Sequence, residues 1–258
     1  MRKNGLIYIY EAFAINNSSN ESPELDTLVS ALQSWGKYLD FYEDVSSEIF
    51  VGGEALFCVG TEQMCIASLA GAIHRDNKDA LSAVERPVAK DAKSSFFGRL
   101  DLWLYMNQHQ FHVEGKLARK HMPIDKIETI FVGNGGRGSA SSLISVGFRD
   151  FQKSTGNWSR VRRKNSAGFF RVMLLMTRVT PVENRGGIDD IKSDIVNIFS
   201  GTQEIDVYRN GRTRSEVQGK KPVKDKMSKY DHAGLVMLPH DTRGVGFVAV
   251  ASVIQRSS

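Results

Sequence analysis

Residues 169–179, Phe169 to Val179, read FFRVMLLMTRV. Arg171 and Arg178 are the only charges in the run, so most of it needs apolar cover on both faces. As a strand its eleven residues, at about 3.3 Å each, would span roughly 36 Å. The run predicts the inner strand of a sheet around which the rest of the chain packs. A buried helix is the competing reading, because leucine and methionine accept either state.

Working outward, Gly5 to Ile15 reads as an aromatic and β-branched strand at or near a sheet edge. Ser22, Pro23, Glu24 and Asp26 form a helix start: a cap, a proline at the first position, and acids where the helix dipole favours them. Leu25, Leu28, Val29, Leu32 and Leu39 follow at helical spacing beside Trp35, with Gly36 weakening the second half. Glu62 to Ile73 and Ile188 to Phe199 carry two further helical patterns. Leu100, Leu102 and Leu104 alternate with Asp101 and Trp103, which predicts a strand with Gln110 to Glu114 as its hairpin partner. Ile127 to Val132 and Glu204 to Tyr208 read as strands. Gly234 to Leu238 and Gly244 to Ile254 read as a closing antiparallel pair. The fold expected is α+β: a single compact domain over 1–258, with a mostly antiparallel or mixed central sheet and two or three packed helices. A sub-boundary or insertion is expected at 75–95, which is polar and holds Pro87, and a basic loop or arm at 209–229.

With 258 residues, 41% hydrophobic and 24% charged, the chain has the composition of an ordinary globular protein. No run of 18 apolar residues exists to predict a membrane span. Glu11 breaks the apolar start, so that segment is read as a strand and not a signal peptide. Two cysteines, Cys58 and Cys65, do not make a disulfide scaffold or a CxxC pair, and point to the cytoplasm or another reducing compartment.

The net charge of +5 is not evenly spread. Arg209, Arg212, Arg214, Lys220, Lys221, Lys224, Lys226 and Lys229 stand against Glu216 and Asp225 alone, so the segment 209–229 carries +6. Arg160, Arg162, Arg163 and Lys164 form a second cluster. Localised positive charge suits a phosphate-binding surface, with Tyr208, Trp158 and Tyr230 as nearby aromatics able to stack on bases. No zinc-finger, helix-turn-helix or zipper pattern fixes a docking mode. The plain alternative is a pair of solvated loops, or loops that meet acidic patches in a homo-oligomer.

Gly133, Gly135 and Gly138 match GxGxxG after an apparent strand, the place of a dinucleotide loop. The following segment is short and polar, and a plain turn is the expectation. His109 and His112 would point oppositely on a strand, and no third metal ligand stands at a familiar spacing. His232 beside Asp231, and His240 beside Asp241, are general-base candidates without a nucleophile motif.

One further set carries chemistry. Asp101, then Glu114 and Lys116 in FHVEGK, supply an acid followed by acid-x-lysine after apolar residues. Such a set can hold a divalent cation and a water beside a phosphate, the lysine steadying the nucleophile. Over these 16 residues the arrangement resembles the core of PD-(D/E)xK nucleases, except that no proline precedes Asp101. The leading expectation is nonetheless a non-enzymatic protein that binds nucleic acid or another polyanion through the basic residues and self-assembles as a homo-oligomer, with no cofactor. Peripheral contact with an anionic membrane face falls under the same chemistry. The alternatives are a metal-dependent nuclease using Asp101, Glu114 and Lys116, and a self-assembling matrix, coat or occlusion protein of viral type.

Overall fold

The computed structural model describes residues 7–15, 22–49, 60–89, 97–118, 122–133, 142–154, 169–182, 187–201, 204–207, 223–240 and 244–256. In chain order these form β1 (Tyr8–Ile15), α1 (Pro23–Ile49), α2 (Glu62–Asp76), β2 (Leu81–Ala89), β3 (Phe97–Met106) and β4 (His109–Leu117). They continue with β5 (Met122–Pro123), α3 (Ile127–Val132), α4 (Leu143–Ser154), β6 (Phe169–Thr180) and α5 (Ile188–Ser200). The chain closes with β7 (Glu204–Val207), β8 (Val223–Lys226), β9 (Asp231–Pro239) and β10 (Gly246–Arg256).

The apolar run at 169–179 is indeed β6, the middle strand of an eight-stranded sheet ordered β1-β9-β10-β6-β4-β3-β2, with β5 beside β6. Alternation decides which face each side chain covers. Phe170, Val172, Leu174 and Met176 point to one side, into a core made with α1 and α2 around Trp35. Met173, Leu175 and Val179 point to the other, into a core made with α3, α4 and α5. The sheet is mixed: β6 runs antiparallel to β10 and parallel to β4. β7 and β8 form a separate two-stranded ribbon.

Five helices stand among the described residues, which corrects the expectation of two or three. Two segments account for the difference. Ile127 to Val132 is rich in β-branched residues, the usual strand signal, but is helical. Ile127, Ile130 and Phe131 fall on one helical face and are buried there, and this packing outweighs propensity. The serine-rich segment hides a second helix. Ser142 Oγ accepts from the Ser145 N–H, and Leu143, Ile144, Phe148 and Phe151 are buried beneath α4. Gly147 sits where α4 touches the sheet: a Cβ there would overlap Leu175 and meet Met173 Sδ at 3.0 Å.

α1 runs unbroken through Gly36. Trp35 Nε1 donates to Ser68 Oγ at 2.8 Å, tying α1 to α2. Pro87 lies in β2, a strand at the open edge of the sheet, where a missing N–H is tolerated.

The β3–β4 hairpin closes with Met106 opposite His109, so Asn107 and Gln108 are its two-residue turn. Both have positive φ, 51° and 63°, as a type I′ turn requires. This turn sets which residues of β3 and β4 share a face; a slip by one would reverse every side chain. Gln108 holds a backbone conformation that glycine adopts with less strain. Gln108→Gly is expected to raise the urea midpoint, by about 0.5–1 kcal/mol of stability. A lowered midpoint would contradict this account of the turn.

His232 on β9 is fully buried: Nε2–H donates to the Met227 carbonyl at 3.1 Å and Nδ1 accepts from Ser252 Oγ at 2.8 Å. Burial lowers its pKa from 6.5 to about 4, against the opposing pull of the Met227 bond and Asp231. The folded protein therefore takes up this proton later than the unfolded chain. Stability is present above about pH 6.5 and is lost as pH falls towards about 4, a change of about 3 kcal/mol. Urea melts at pH 7 and pH 4.5, with an NMR titration of the imidazole, check this. An imidazole charged at pH 6 in the folded protein would contradict it.

Candidate functional site

The sequence places Asp101 on β3, and Glu114 and Lys116 on β4. Leu102, Leu104 and Met106 of β3 are buried against α1 and α2, and Leu100 is buried in line with them. Asp101 therefore points to the opposite face, as do Glu114 and Lys116, which alternate with Val113 and the α2-facing Gly115.

What joins these residues is a fork. The β3–β4 ladder runs from Met106↔His109 to Leu102↔Val113 and stops, while both strands continue. Beyond that point β4 still pairs with β6, and the Ala118 N–H just past it donates to the Met176 carbonyl. Even-numbered N–H groups here point to β6, so those of Gly115 and Leu117 point into the fork, where β3 carbonyls no longer meet them. Carboxylates take their place. Gly115 N–H donates to Asp101 Oδ2 at 2.7 Å, and Leu117 N–H to Glu62 Oε2 at 3.2 Å.

Glu62 comes from the first turn of α2, which Thr61 caps by accepting from the Met64 N–H at 3.2 Å. One turn on, Ile66 packs against Gly115, whose missing side chain lets helix and strand approach: a Cβ there would meet Ile66 at 3.0 Å and Met176 at 3.1 Å. Glu62 Oε2 also lies 3.4 Å from Lys116 Nζ. The Glu114 carboxyl lies beside that of Asp101, close enough to act on its titration. The pKa of Asp101 is raised, chiefly by burial and further by the charge of Glu62. The Gly115 N–H, Lys116 and Glu114 oppose that rise.

Asp101 and Glu114 thus stand at the fork on one face, and Glu62 and Lys116 form an ion pair beside them. Sequence reasoning brought together Asp101, Glu114 and Lys116 but missed Glu62, which joins only by a contact 55 residues long. Its local signal is that of an ordinary first-turn acid. At the margin of the site Glu85 of β2, across β3 from Asp101 in the strand register, has φ 53°, a costly conformation for a residue with a side chain.

The other candidates fare differently. Arg160, Arg162, Arg163, Lys164, Arg209, Arg212, Arg214, Lys220 and Lys221 lie outside the described residues. The backbone of Lys224 lies in β8, and Lys226 and Lys229 are exposed at and after its end. Of the nearby aromatics, Tyr230 packs its ring on Phe148 at 5.6 Å, while Trp158 and Tyr208 lie outside the described residues. The strand expected before GNGGRG is helix α3. Gly133 ends it, at φ 84° with its N–H on the Thr129 carbonyl, so the strand-turn-helix setting of a dinucleotide loop is absent there. Gly135 and Gly138 lie outside the described residues. His232 is too deeply buried to act as a base on a substrate. Among the described residues, no helix is long and apolar enough to cross a membrane, and no three His, Cys, Asp or Glu side chains converge closely enough to hold a metal ion by themselves.

Comparison with known families, curated proteins and solved structures finds no match to this chain.

Because the pKa of Asp101 lies above its ordinary value, its ionised form costs stability in the folded protein. That cost is absent in acid, grows as pH rises through the titration of Asp101, and persists at neutral pH. Asp101→Asn keeps the oxygen that accepts from Gly115 and removes the charge. The melting temperature is expected to rise by a few degrees at pH 7, with the difference closing towards pH 3. A variant less stable than the parent at neutral pH would contradict this reading.

Proposed function

We propose that the protein is a metal-dependent phosphodiesterase acting on nucleic acid, with its active site at the β3–β4 fork. The observation that carries this is the pairing of Asp101 with Glu114, two carboxyl groups in mutual contact, with Lys116 one residue further along the same face. Accepting the Gly115 N–H accounts for Asp101 but not for the second acid beside it; a cation between them would remove their repulsion.

The donor set fits a hard divalent ion. Magnesium is typically held by one or two carboxylates together with waters and substrate phosphates, not by a complete protein cage. Asp101 and Glu114 would hold it, and a third protein ligand is not needed. Once bound, the ion would polarise the scissile phosphate and lower the pKa of a water. Asp101, whose pKa is raised, must be ionised to hold it, so binding strengthens as pH rises.

Lys116 supplies positive charge beside the phosphoryl oxygens and orients the attacking water. That water's oxygen bonds to phosphorus as the phosphorus–oxygen ester bond breaks. One water proton ends on the leaving oxygen and the other is released to solvent. Glu62 positions Lys116: through their 3.4 Å contact it limits where the ammonium can reach. The +6 of residues 209–229, and the cluster at 160–164, supply the long-range attraction a polyanionic substrate needs.

Incubation with labelled DNA and RNA in magnesium or manganese tests this. Cleavage is expected that stops with EDTA, falls at least 100-fold in Glu114→Gln and Lys116→Met, and falls less in Glu62→Gln. Cleavage that survives in both Glu114→Gln and Lys116→Met, or the absence of cleavage of any nucleic acid with either metal, would reject the proposal.

A further inference from the structure

The last turn of α2 and the start of β2 hold a second pair of groups that carries chemistry. Ser82 Oγ lies 2.8 Å from His74 Nε2, and both side chains reach solvent. The pair sits on the other face of the sheet from Asp101 and Glu114: Ser82 stands opposite Leu104, which is buried against α1 and α2. A short connection fixes it in place. The Asn77 N–H donates to the Ile73 carbonyl, Asn77 Oδ1 accepts from the Asp79 N–H, and the Ala80 N–H returns to the Asn77 carbonyl. Ile73, next to His74, and Ala80, two residues before Ser82, are buried and anchor the two ends. Arg75 turns the other way, with its guanidinium over Tyr38 and Phe41 of α1 and its Nε on Asp76. That leaves His74 to face β2.

We infer that Ser82 and His74 are a nucleophile and its general base, acting on small esters with an apolar acyl group. A serine hydroxyl is a weak nucleophile alone and is activated by a base that accepts its proton, the contact seen here. Strand parity supplies an oxyanion donor. Odd-numbered N–H groups of β4 point to β3, where Phe111 and Val113 meet Leu104 and Leu102. Tyr105 and Trp103 therefore turn theirs to β2, where Leu81 and Ala83 stand opposite. The Ser82 N–H, between those two, points away from β3 at the edge of the sheet. There it can donate to the oxyanion formed on a carbonyl that Ser82 Oγ attacks. Val84, two residues on and on the same face, is 40% exposed and offers the acyl group an apolar contact. In the reaction Oγ bonds to the ester carbonyl carbon as its proton passes to Nε2. The carbon–oxygen ester bond then breaks, and the proton leaves with the alcohol. A water repeats the sequence on the acyl-serine, which releases the acid and restores the pair. Among the described residues no acid orients the imidazole, so the centre is a dyad and turns over slowly.

The test uses the full chain in EDTA, which silences any metal-dependent activity at the fork. The probes are p-nitrophenyl acetate, p-nitrophenyl butyrate and a fluorophosphonate that bonds covalently to activated serines. Hydrolysis above the buffer rate is expected, with the fluorophosphonate found on Ser82 by peptide mass spectrometry. Ser82→Ala should abolish both the labelling and the added hydrolysis. His74→Gln keeps a polar group beside Ser82 but cannot take its proton, and should lower both by about 100-fold. Val84→Ser should slow the butyrate more than the acetate. The labelled position in the parent chain decides the matter even where a variant does not fold. No label on Ser82 in the parent, or labelling unchanged in His74→Gln, would overturn the inference. Hydrolysis that survives in Ser82→Ala is the reaction of an ordinary exposed imidazole and would overturn it too. Magnesium-dependent cleavage of nucleic acid should be the same in Ser82→Ala as in the parent, so the two centres stand or fall separately.

Discussion

Two backbone N–H groups, those of Gly115 and Leu117, govern the proposed chemistry. Where β3 leaves β4, these donors lose the carbonyls that a continuous ladder would have offered. A buried donor without an acceptor is costly, so the fork is stable only if acceptors come from elsewhere. Asp101 and Glu62 provide them. The same bonds that complete the backbone therefore draw two acids to the end of β4, where Glu114 and Lys116 already project. The acidic cluster is in part a consequence of how the sheet ends.

The rest of the fold holds that fork in place. The turn at Asn107 and Gln108 sets the parity that puts Asp101 and Glu114 on one face. β6 holds the far side of β4 in a parallel ladder through Leu117. α2 is fixed to α1 by the Trp35–Ser68 bond and rests on Gly115 through Ile66, which fixes the height at which Glu62 arrives. On the other face α4 lies close against β6 because Gly147 has no side chain. Together these contacts bring close charges that would separate in an unsupported loop. That is the usual relation between a stable scaffold and a site that costs stability.

Much of this could be read from residue order. The alternation in LDLWLYM and the even apolarity of 169–179 gave the strands their identity, and the Ser22-Pro23 start and the isoleucine stripe at 188–199 gave two helices. The signal failed where two cues disagreed. IETIFV is strand-like in composition and helix-like in spacing, and six residues are too few for spacing to dominate. SSLISVGFRDF hid its helical face behind serines and a glycine that the structure uses for capping and close approach. The site was legible in proportion to sequence distance. Glu114 and Lys116 share a strand and Asp101 is one hairpin away, but Glu62 meets them only through tertiary packing. Charge placement was conspicuous in the sequence and drew attention to the basic loops. The geometry directs attention instead to a small acidic fork that barely alters the composition.

The central claim is that Asp101 and Glu114 face each other in order to share a cation. Diffraction from crystals grown with manganese, at a wavelength where the metal scatters anomalously, addresses it most directly. The account predicts an anomalous peak between the two carboxylates in the parent protein and none in Glu114→Gln. A peak elsewhere on the molecule and none at the pair, or no peak at saturating manganese above neutral pH, would contradict it.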